Sequence, residues 1–326
     1  MPSYSRRDFA KLALSALPGA ALLPAFAPRA VAATTAPTVT KPNSVVRGVQ
    51  LGINVPYSFG LPTLSGAEIL ARCASLNLSA VELRAQPIEA YMGVAPELIA
   101  PRVKNDPSTP AQLAEKAAAL KSWRMSAPLS RAKEFRRMYD EGGVVLDILK
   151  VDNIFKLSDD ELDYSFALAK AVGARAISSE ISFDQDEVKR VGAFADKHQF
   201  WVAYHGHAST TAQIWEWAFT YAKYHAANVD IGHFIAGSNV SPVPFIKKHA
   251  DRITHVHLKD RKFREGPNTP FGQGDTPIGD VLRLIRDNRW PIQGTIEFEY
   301  KVPDDSDRMK EIARALAFCR NELQVG

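Results

Sequence analysis

The chain has 326 residues, of which 46% are hydrophobic and 23% are charged, so it has enough apolar material for a large buried core. Its two cysteines exclude a disulfide scaffold and a cysteine-rich zinc site. The formal net charge is +4, but residues 1–32 contribute +3 of it, so the rest of the chain is nearly neutral. A protein that grips a phosphate backbone should be more basic, which argues against a nucleic-acid partner. No apolar run is long enough to predict a stable membrane span.

The first segment has the order of features expected of a secretory signal. Arg6 and Arg7 precede an apolar stretch over residues 12–26, and a small-residue cleavage pattern follows. The paired arginines resemble a twin-arginine signal, which implies export of the folded protein by the twin-arginine translocase, to the periplasm or an equivalent compartment. We therefore predict a signal peptide over residues 1–32 and a Thr/Pro-containing linker over residues 33–44.

From residue 45 onward, short β-rich runs alternate with amphipathic runs. The predicted strands span 49–53, 80–83, 144–149, 176–179, 201–204, 228–231, 253–258 and 294–298. The predicted helices span 66–76, 111–123, 131–140, 158–172, 186–199, 211–224, 243–250, 278–287 and 305–323. This alternation favours an α/β fold in which an eight-stranded parallel sheet closes into a (β/α)8 TIM barrel over residues 45–326. An open doubly wound sheet is the alternative, and the lack of a glycine-rich fingerprint after the first strand disfavours it.

The spacing between the second and third predicted strands is unusual. About 60 residues separate them, and the segment 89–110 is rich in proline. We predict a long loop here, near the mouth of the barrel, where such loops shape active sites.

Acidic and imidazole side chains recur at the ends of the predicted strands. Their carboxyl ends meet at one mouth of a barrel, which is where its chemistry takes place. The residues, in strand order, are Glu82, Glu180, His205, Asp230, His257 and Glu297. Several carboxylates buried together would repel one another, and a divalent cation would remove that cost. Three carboxylates and one imidazole suit Mn²⁺ or Mg²⁺, with Co²⁺ or Zn²⁺ as alternatives. A network of salt bridges with neighbouring Arg and Lys side chains is the other interpretation.

Several of these segments together resemble one family. They are Glu180 and the segments 230–233, 255–261, 271–277 and 296–300. Their order and spacing are similar to those of the xylose isomerase-like TIM barrels, which include sugar phosphate isomerases and epimerases and share a metal site with AP endonucleases of family 2. The resemblance extends from about residue 45 to residue 323 and implies the fold and the metal site, but not the substrate.

The resemblance implies a metal site made by four residues. Glu180, Asp230, His257 and Glu297 match the positions of the family's metal ligands. In the related epimerases two metal-bound glutamates transfer the proton, so Glu180 and Glu297 are the implied catalytic residues. The implied cofactor is a divalent metal, with Mn²⁺ expected first and Mg²⁺, Co²⁺ or Zn²⁺ as alternatives.

Two of these assignments have competitors on the same strand face. His255 alternates with His257, and Glu299 alternates with Glu297, so each pair points the same way along an extended chain. Only the match to the family's pattern favours His257 and Glu297.

The same mouth supplies candidate contacts for the substrate. His233 matches the family's contact to a substrate hydroxyl, and His205 lies where many members have a polar group beside the metal. Lys259 and Arg261 are suited to hold substrate oxygens, and Glu82 at the end of the second strand is the remaining candidate. Aromatic side chains in the mouth loops, such as Tyr57, are candidates for stacking on a sugar.

These features predict a metal-dependent sugar isomerase or epimerase that abstracts a proton next to a carbonyl through an enediolate. Because free sugar phosphates are scarce outside the cytoplasm, the expected substrate is an unphosphorylated carbohydrate or a glycoside. The same residues would also serve a lyase or hydrolase that cleaves keto-glycosides by β-elimination. An AP endonuclease-like nuclease and a non-catalytic sugar-binding barrel are weaker alternatives. We expect a monomer or a dimer, and we expect Cys73 and Cys319 to be buried thiols rather than a disulfide.

Overall fold

A computed structural model describes residues 41–100 and 108–326. Its strands are β1 (Val45–Val46), β2 (Val49–Val55), β3 (Ala80–Arg84), β4 (Val145–Lys150), β5 (Ala176–Glu180), β6 (Trp201–His205), β7 (His225–Asp230), β8 (Ile253–Leu258), β9 (Asp260–Arg261), β10 (Asn268–Thr269) and β11 (Gln293–Ile296). Its helices are α1 (Gly66–Ser75), α2 (Ala85–Met92), α3 (Pro96–Ile99), α4 (Pro110–Met125), α5 (Leu129–Gly142), α6 (Asp159–Val172), α7 (Gln185–His198), α8 (Ala212–Tyr221), α9 (Ile231–Ser238), α10 (Val243–Lys248), α11 (Ile278–Asn288) and α12 (Arg308–Gln324).

Eight of these strands form a closed parallel barrel. Around the ring they follow the order β2, β3, β4, β5, β6, β7, β8 and β11. The first strand, β2, pairs in parallel with both β3 and β11, and this pairing closes the ring. Strand β1 adds to β2 in the antiparallel direction. The predicted (β/α)8 barrel is confirmed, and all eight predicted barrel strands are present.

The layers of the barrel follow from the alternation of side chains along each strand. On β3, Val81 and Leu83 belong to the hydrophobic core, whereas the intervening Glu82 reaches His257 inside the barrel. On β8, Val256 and Leu258 likewise belong to that core. Apolar packing against the helices therefore stabilises the ring, and the inside of the barrel is left for polar groups.

Two strands end earlier than the sequence predicted. Strand β7 ends at Asp230, and the next residue already belongs to α9, whereas the prediction extended the strand to residue 231. Asp230 starts this helix because its Oδ1 accepts a hydrogen bond of 2.7 Å from the backbone N–H of His233. Strand β11 ends at Ile296, two residues before the predicted end, so Glu297 follows the strand.

The predicted long loop over residues 89–110 is wrong in part. Helix α2 includes Glu89, and helix α3 follows within the same segment. Two prolines of this segment, Pro96 and Pro110, lie in the first turns of α3 and α4, where the backbone N–H that proline lacks would have no partner within the helix. Residues 101–107 lie outside the described part of the chain.

Residues 1–40, which include the predicted signal peptide and most of the predicted linker, are not among the described residues. Among the helices in the described ranges, none combines the length and the hydropathy needed to cross a bilayer. Cys73 and Cys319 are both buried free thiols, as expected from the sequence.

One buried histidine makes the fold sensitive to acid. His225 donates from Nδ1 to the carbonyl of Ala218 at 2.8 Å, and its Nε2 accepts from the hydroxyl of Tyr204 at 2.9 Å. Burial disfavours the imidazolium and lowers the pKa of His225 from 6.5 to about 4. The unfolded chain therefore binds more protons than the folded chain between these values, and stability falls as the pH drops from 6.5 towards 4.

We predict that His225→Phe removes part of this acid sensitivity. At pH 7 the variant should be less stable by about 1–3 kcal/mol, because Tyr204 and Ala218 lose their partner. Urea unfolding should show this difference shrinking at pH 4.5, because the proton-linked contribution is at most about 3 kcal/mol. Tyr204→Phe is the control, since it loses the same hydroxyl contact but keeps the imidazole. An equal pH dependence in wild type and His225→Phe would contradict the assignment.

Candidate active site and metal centre

Four buried side chains converge at the carboxyl ends of the barrel strands. They are His205 at the end of β6, Asp230 at the end of β7, His257 on β8 and Glu297 just after β11. Each offers a potential ligand atom, and these atoms all lie within 4.8 Å of one another. We call this set the central group.

Each member of the central group has a buried polar atom with no hydrogen-bond partner. These atoms are Nδ1 of His205, Oδ2 of Asp230, Nδ1 of His257 and Oε2 of Glu297. Buried polar atoms normally have partners, because an unpaired one costs about 1–3 kcal/mol. Two imidazoles and two carboxylates are a donor set that divalent transition metals accept. The residues present therefore fit a metal.

Local structure orients the two carboxylates of the group. Asp230 uses Oδ1 to cap α9, which leaves Oδ2 for the site. Glu297 accepts a hydrogen bond of 2.9 Å at Oε1 from the amide of Asn54 on β2, and its Oε2 remains for the site. In both residues, one oxygen is fixed by the scaffold and the other faces the group.

Glu82 lies beneath the central group and holds His257 in place. Its Oε2 is 2.5 Å from Nε2 of His257 and 3.5 Å from Nε2 of His255, and all three side chains are fully buried. Because a carboxylate accepts, Nε2 of His257 carries a proton, and Nδ1, which faces Oε2 of Glu297 at 3.3 Å, is the nitrogen that would bind a cation in exchange for its own proton. Burial opposes the imidazolium, but Glu82 and Glu297 outweigh it and raise the pKa of His257 to about 10. Burial would also raise the pKa of Glu82, but the two imidazoles lower it well below its usual value.

Lys259 places a positive charge against the central group. Its Nζ lies 3.0 Å from Oδ2 of Asp230, 2.7 Å from Oε2 of Glu297 and 2.6 Å from Oε2 of Glu299. Burial alone would lower the pKa of Lys259, but these carboxylates raise it well above its usual value. Glu299 in turn accepts a hydrogen bond of 2.5 Å from the hydroxyl of Tyr57, which is exposed at the mouth.

Glu180 lies outside the central group. Its Oε1 accepts from the buried Nζ of Lys150 at 2.7 Å, and its Oε2 is 2.7 Å from Nε2 of His207. The side chain of Glu180 is 46% exposed, in contrast to the fully enclosed Asp230. Burial would raise the pKa of Glu180, but Lys150 and His207 outweigh it and lower the pKa well below its usual value. Glu180 is therefore an ionised carboxylate that solvent and a substrate can reach.

His233 and Arg261 form the side of the site next to Lys259. Nε2 of His233 is 3.1 Å from Nζ of Lys259, and its Nδ1 is 2.7 Å from the guanidinium of Arg261. His205, His207 and His233 make a second group with ligand spacing. However, the two cations that contact His233 disfavour a metal there.

The predicted site residues therefore meet at one mouth in two layers. Asp230, His257 and Glu297 lie together, and His205, predicted as a substrate contact, joins them. Glu180, predicted as a ligand, contacts Lys150 and His207 instead. The list of predicted substrate contacts also includes His233, Lys259 and Arg261, which line this mouth, and Glu82, which is enclosed beneath the central group.

Sequence reasoning missed three groups that support the site, and it named a fourth, Glu299, only as a competitor of Glu297 for the ligand position. Asn54, Lys150 and His207 hold carboxylates of the site, and Glu299 holds Lys259. Lys150 had a recognisable signal, because a lysine that ends an otherwise apolar strand run needs a buried acidic partner. Among the aromatic candidates, Tyr57 contacts a site residue through Glu299.

One family model matches part of the chain. Residues 185–322 match the family model described as xylose isomerase-like TIM barrel, a segment that includes Asp230, His257 and Glu297 but not Glu180. No curated protein matches the chain.

Three solved structures illustrate the similarity of the fold. A D-psicose 3-epimerase from Clostridium cellulolyticum H10 is 13% identical with a TM-score of 0.58, over 85% of this chain and all of that one (100%). A xylose isomerase domain protein from Planctomyces limnophilus is 16% identical with a TM-score of 0.58, over 84% and 96%. The probable 3-DHS dehydratase AsbF from Bacillus anthracis is 11% identical with a TM-score of 0.57, over 82% and 98%. At these identities the similarity establishes the fold.

We predict that Glu82→Gln weakens binding of Co²⁺ or Zn²⁺ by about 10–100-fold, because an amide no longer fixes the proton of His257 on Nε2. Isothermal titration calorimetry on metal-stripped protein measures this affinity. Glu89→Gln is the matched control, since Glu89 is equally buried but pairs with Arg124 at 2.8 Å between α2 and α4. Unchanged metal affinity in Glu82→Gln would contradict the orienting role.

Proposed function

We propose that this protein is a divalent-metal-dependent isomerase or epimerase that acts on an unphosphorylated carbohydrate or glycoside by transferring a proton at a carbon next to a carbonyl. One observation carries the proposal. Four buried residues bring potential ligand atoms within 4.8 Å of one another at the barrel mouth, where two of these atoms are balanced only by the charge of Lys259, and an ionised, accessible carboxylate, Glu180, lies at the same mouth.

His205, Asp230, His257 and Glu297 would hold the metal. A bound divalent cation supplies a Lewis acid that stabilises negative charge developing on the oxygens of the substrate. Sequence patterns favoured Mn²⁺. The second imidazole in the central group makes Co²⁺ and Zn²⁺ stronger competitors and Mg²⁺ a weaker one.

Glu180 and Glu297 are suited to proton transfer from two sides of a substrate. Glu180 ends β5 and Glu297 follows β11, and these strands are four apart in the ring of eight and therefore face each other across the mouth. Lys150 lowers the pKa of Glu180 and keeps its carboxylate ionised. Glu297 is enclosed, and Asn54 fixes its orientation.

The charges at the mouth favour a substrate without a phosphate group. Among the described residues, Arg84 pairs with Asp152 at 2.5 Å, Lys150 pairs with Glu180, and Arg261 donates to the carbonyl of Gly266. A phosphate would have to displace these partners. His233, Lys259 and Arg261 can instead contribute to the binding of hydroxyl and carbonyl oxygens.

A second candidate reaction is β-elimination from a keto-glycoside, which starts with the same proton abstraction. One of the similar structures is described as a probable dehydratase, and loss of water is an elimination. The epimerase among the similar structures favours the first reaction. The two reactions differ in mass balance, because epimerisation conserves the substrate mass and elimination releases a leaving group.

We further propose that the chain is exported by the twin-arginine translocase. The paired Arg6 and Arg7, the apolar stretch that follows them and the small-residue cleavage pattern support this proposal. Replacement of both arginines by lysine in the full chain should block the appearance of the processed protein in the periplasm, as measured by fractionation and immunoblotting. Undiminished export would contradict the route.

The function is tested by solvent-deuterium exchange. We expect metal-loaded protein incubated in D₂O with a panel of ketohexoses and keto-glycosides to place deuterium next to the carbonyl of its substrate, as detected by mass spectrometry. Glu180→Gln should reduce exchange by about 10²–10⁴-fold while the metal content stays near one per chain, because the residue acts on the proton. Asp230→Asn should lose the metal.

Two results would count against the proposal. Absence of stoichiometric metal after incubation with Mn²⁺, Co²⁺ and Zn²⁺ would exclude the metal-dependent reaction. Bound metal with no exchange across the panel would leave a binding protein. Deuterium in a substrate of unchanged carbon skeleton indicates isomerisation or epimerisation, whereas release of the aglycone indicates elimination.

A further inference from the structure

The ammonium group of Lys259 occupies an unusual position for a lysine. It is 2% exposed and is surrounded by four polar atoms within 3.1 Å, which belong to Asp230, Glu297, Glu299 and His233. An ammonium group has only three protons to donate. Asp230 and Glu297 are also members of the central group, and the atoms that Lys259 approaches, Oδ2 and Oε2, are their unpaired atoms. Lys259 thus neutralises these oxygens by charge without forming well-aligned hydrogen bonds to them.

We propose that Lys259 competes with the metal for Asp230 and Glu297, and that Glu299 receives its ammonium group when the metal binds. The inference rests on the metal site of the proposed function. The inference adds that the side chain of Lys259 moves from Asp230 and Glu297 to Glu299, and that this movement sets the affinity of the barrel for its metal.

Competition follows from the shared oxygens. A divalent metal would bind Oδ2 of Asp230 and Oε2 of Glu297 at about 2.0–2.2 Å. Nζ of Lys259 already lies 3.0 Å and 2.7 Å from the same two atoms. Two cations this close repel each other strongly in a buried site. Binding of the metal therefore includes the cost of moving the ammonium group away.

Glu299 is positioned to bind the ammonium group of Lys259 when it moves. Its Oε2 is 2.6 Å from Nζ of Lys259, and it lies outside the central group, so the metal does not consume its charge. Tyr57 donates to its Oε1 at 2.5 Å, and Asn268 donates to Oε2 at 3.3 Å, which fixes the carboxylate before any movement. Lys259 can therefore withdraw by a small rotation without losing all of its partners.

The withdrawn lysine keeps one acceptor and gains free donors. Glu299 remains as an acceptor and uses one of the three protons. Nε2 of His233 stays nearby but does not accept, because Nδ1 of that ring accepts from Arg261 and Nε2 then carries the proton. The remaining protons of Lys259 are free beside the metal site. Lys259 thus becomes available to a substrate oxygen only after the metal is bound.

The test compares Co²⁺ affinity in metal-stripped wild type, Lys259→Met and Glu299→Gln by isothermal titration calorimetry. Lys259→Met should bind Co²⁺ about 5–150-fold more tightly, because the competitor is gone. Glu299→Gln should bind several-fold more weakly, because the ammonium group keeps its hold on Asp230 and Glu297. Lys259→Gln is the second variant if Lys259→Met does not fold, and its affinity should rise in the same direction.

Lys150→Met is the matched control. Lys150 is the other lysine of the described residues that is buried to the same degree, but it pairs with Glu180 outside the central group. Its replacement should change Co²⁺ affinity by much less than replacement of Lys259. Equal tightening in both variants would show a general effect of removing buried positive charge and would overturn the specific competition.

Each remaining outcome separates this inference from the proposed function. Equal or weaker affinity in Lys259→Met, with Co²⁺ bound by the wild type, would overturn the competition and leave the metal site intact. Binding only by Lys259→Met would support the competition and contradict metal dependence of the natural chain. No binding by either protein would overturn both.

Discussion

The arrangement of the barrel mouth depends on the neutralisation of buried carboxylates. The barrel sheet encloses Glu82, Asp230 and Glu297. Apolar side chains on its outer face form the hydrophobic core. Burying a charged carboxylate carries a free-energy cost that only nearby positive charge or hydrogen bonds can offset. Lys259 and His257 meet that need inside the protein. The same charge balance sets both the stability of the mouth and its readiness to take up a cation.

The division of the site into an enclosed layer and an accessible layer gives each carboxylate a different chemistry. Asp230 has no exposed surface, so exchange of its partners requires movement of a neighbouring side chain. Glu180 has half its side chain in solvent and is held by Lys150 from below. A barrel can therefore keep enclosed ligands and an accessible carboxylate within one mouth.

The alternation of apolar and polar residues was sufficient to predict the barrel, because a strand buried against helices needs apolar residues at every second position. Strand β8 was predicted to the residue. Alternation could not distinguish His255 from His257, since both point inward and differ only in depth along the barrel axis. The position of His257 along the barrel axis is fixed by its contact with Glu82, which lies 175 residues away in the sequence.

Similar long-range contacts explain the remaining differences from the sequence prediction. Glu180 and His205 are direct neighbours across β5 and β6, and both end their strands. The family resemblance implied Glu180 as a ligand, and in the structure Lys150 from the preceding strand donates to one of its carboxylate oxygens. Helix α9 was missed because it is short, and because its first residues read as a continuation of the apolar strand.

Asp230 links the chemistry of the mouth to the mechanics of one surface segment. Its Oδ1 holds the first turn of α9, and the carbonyl of Ala236 on that helix accepts from the backbone N–H of Glu265 at 2.8 Å. At the end of the helix, Asn239 accepts from the N–H of Arg264 at 2.7 Å. These hydrogen bonds connect Asp230 through one short helix to the loop that follows β9, so a change in the partners of Asp230 affects that loop. We expect amide hydrogen exchange across this helix and loop to become slower when a cation binds Oδ2 of Asp230. Exchange in this segment therefore reports whether the site is filled.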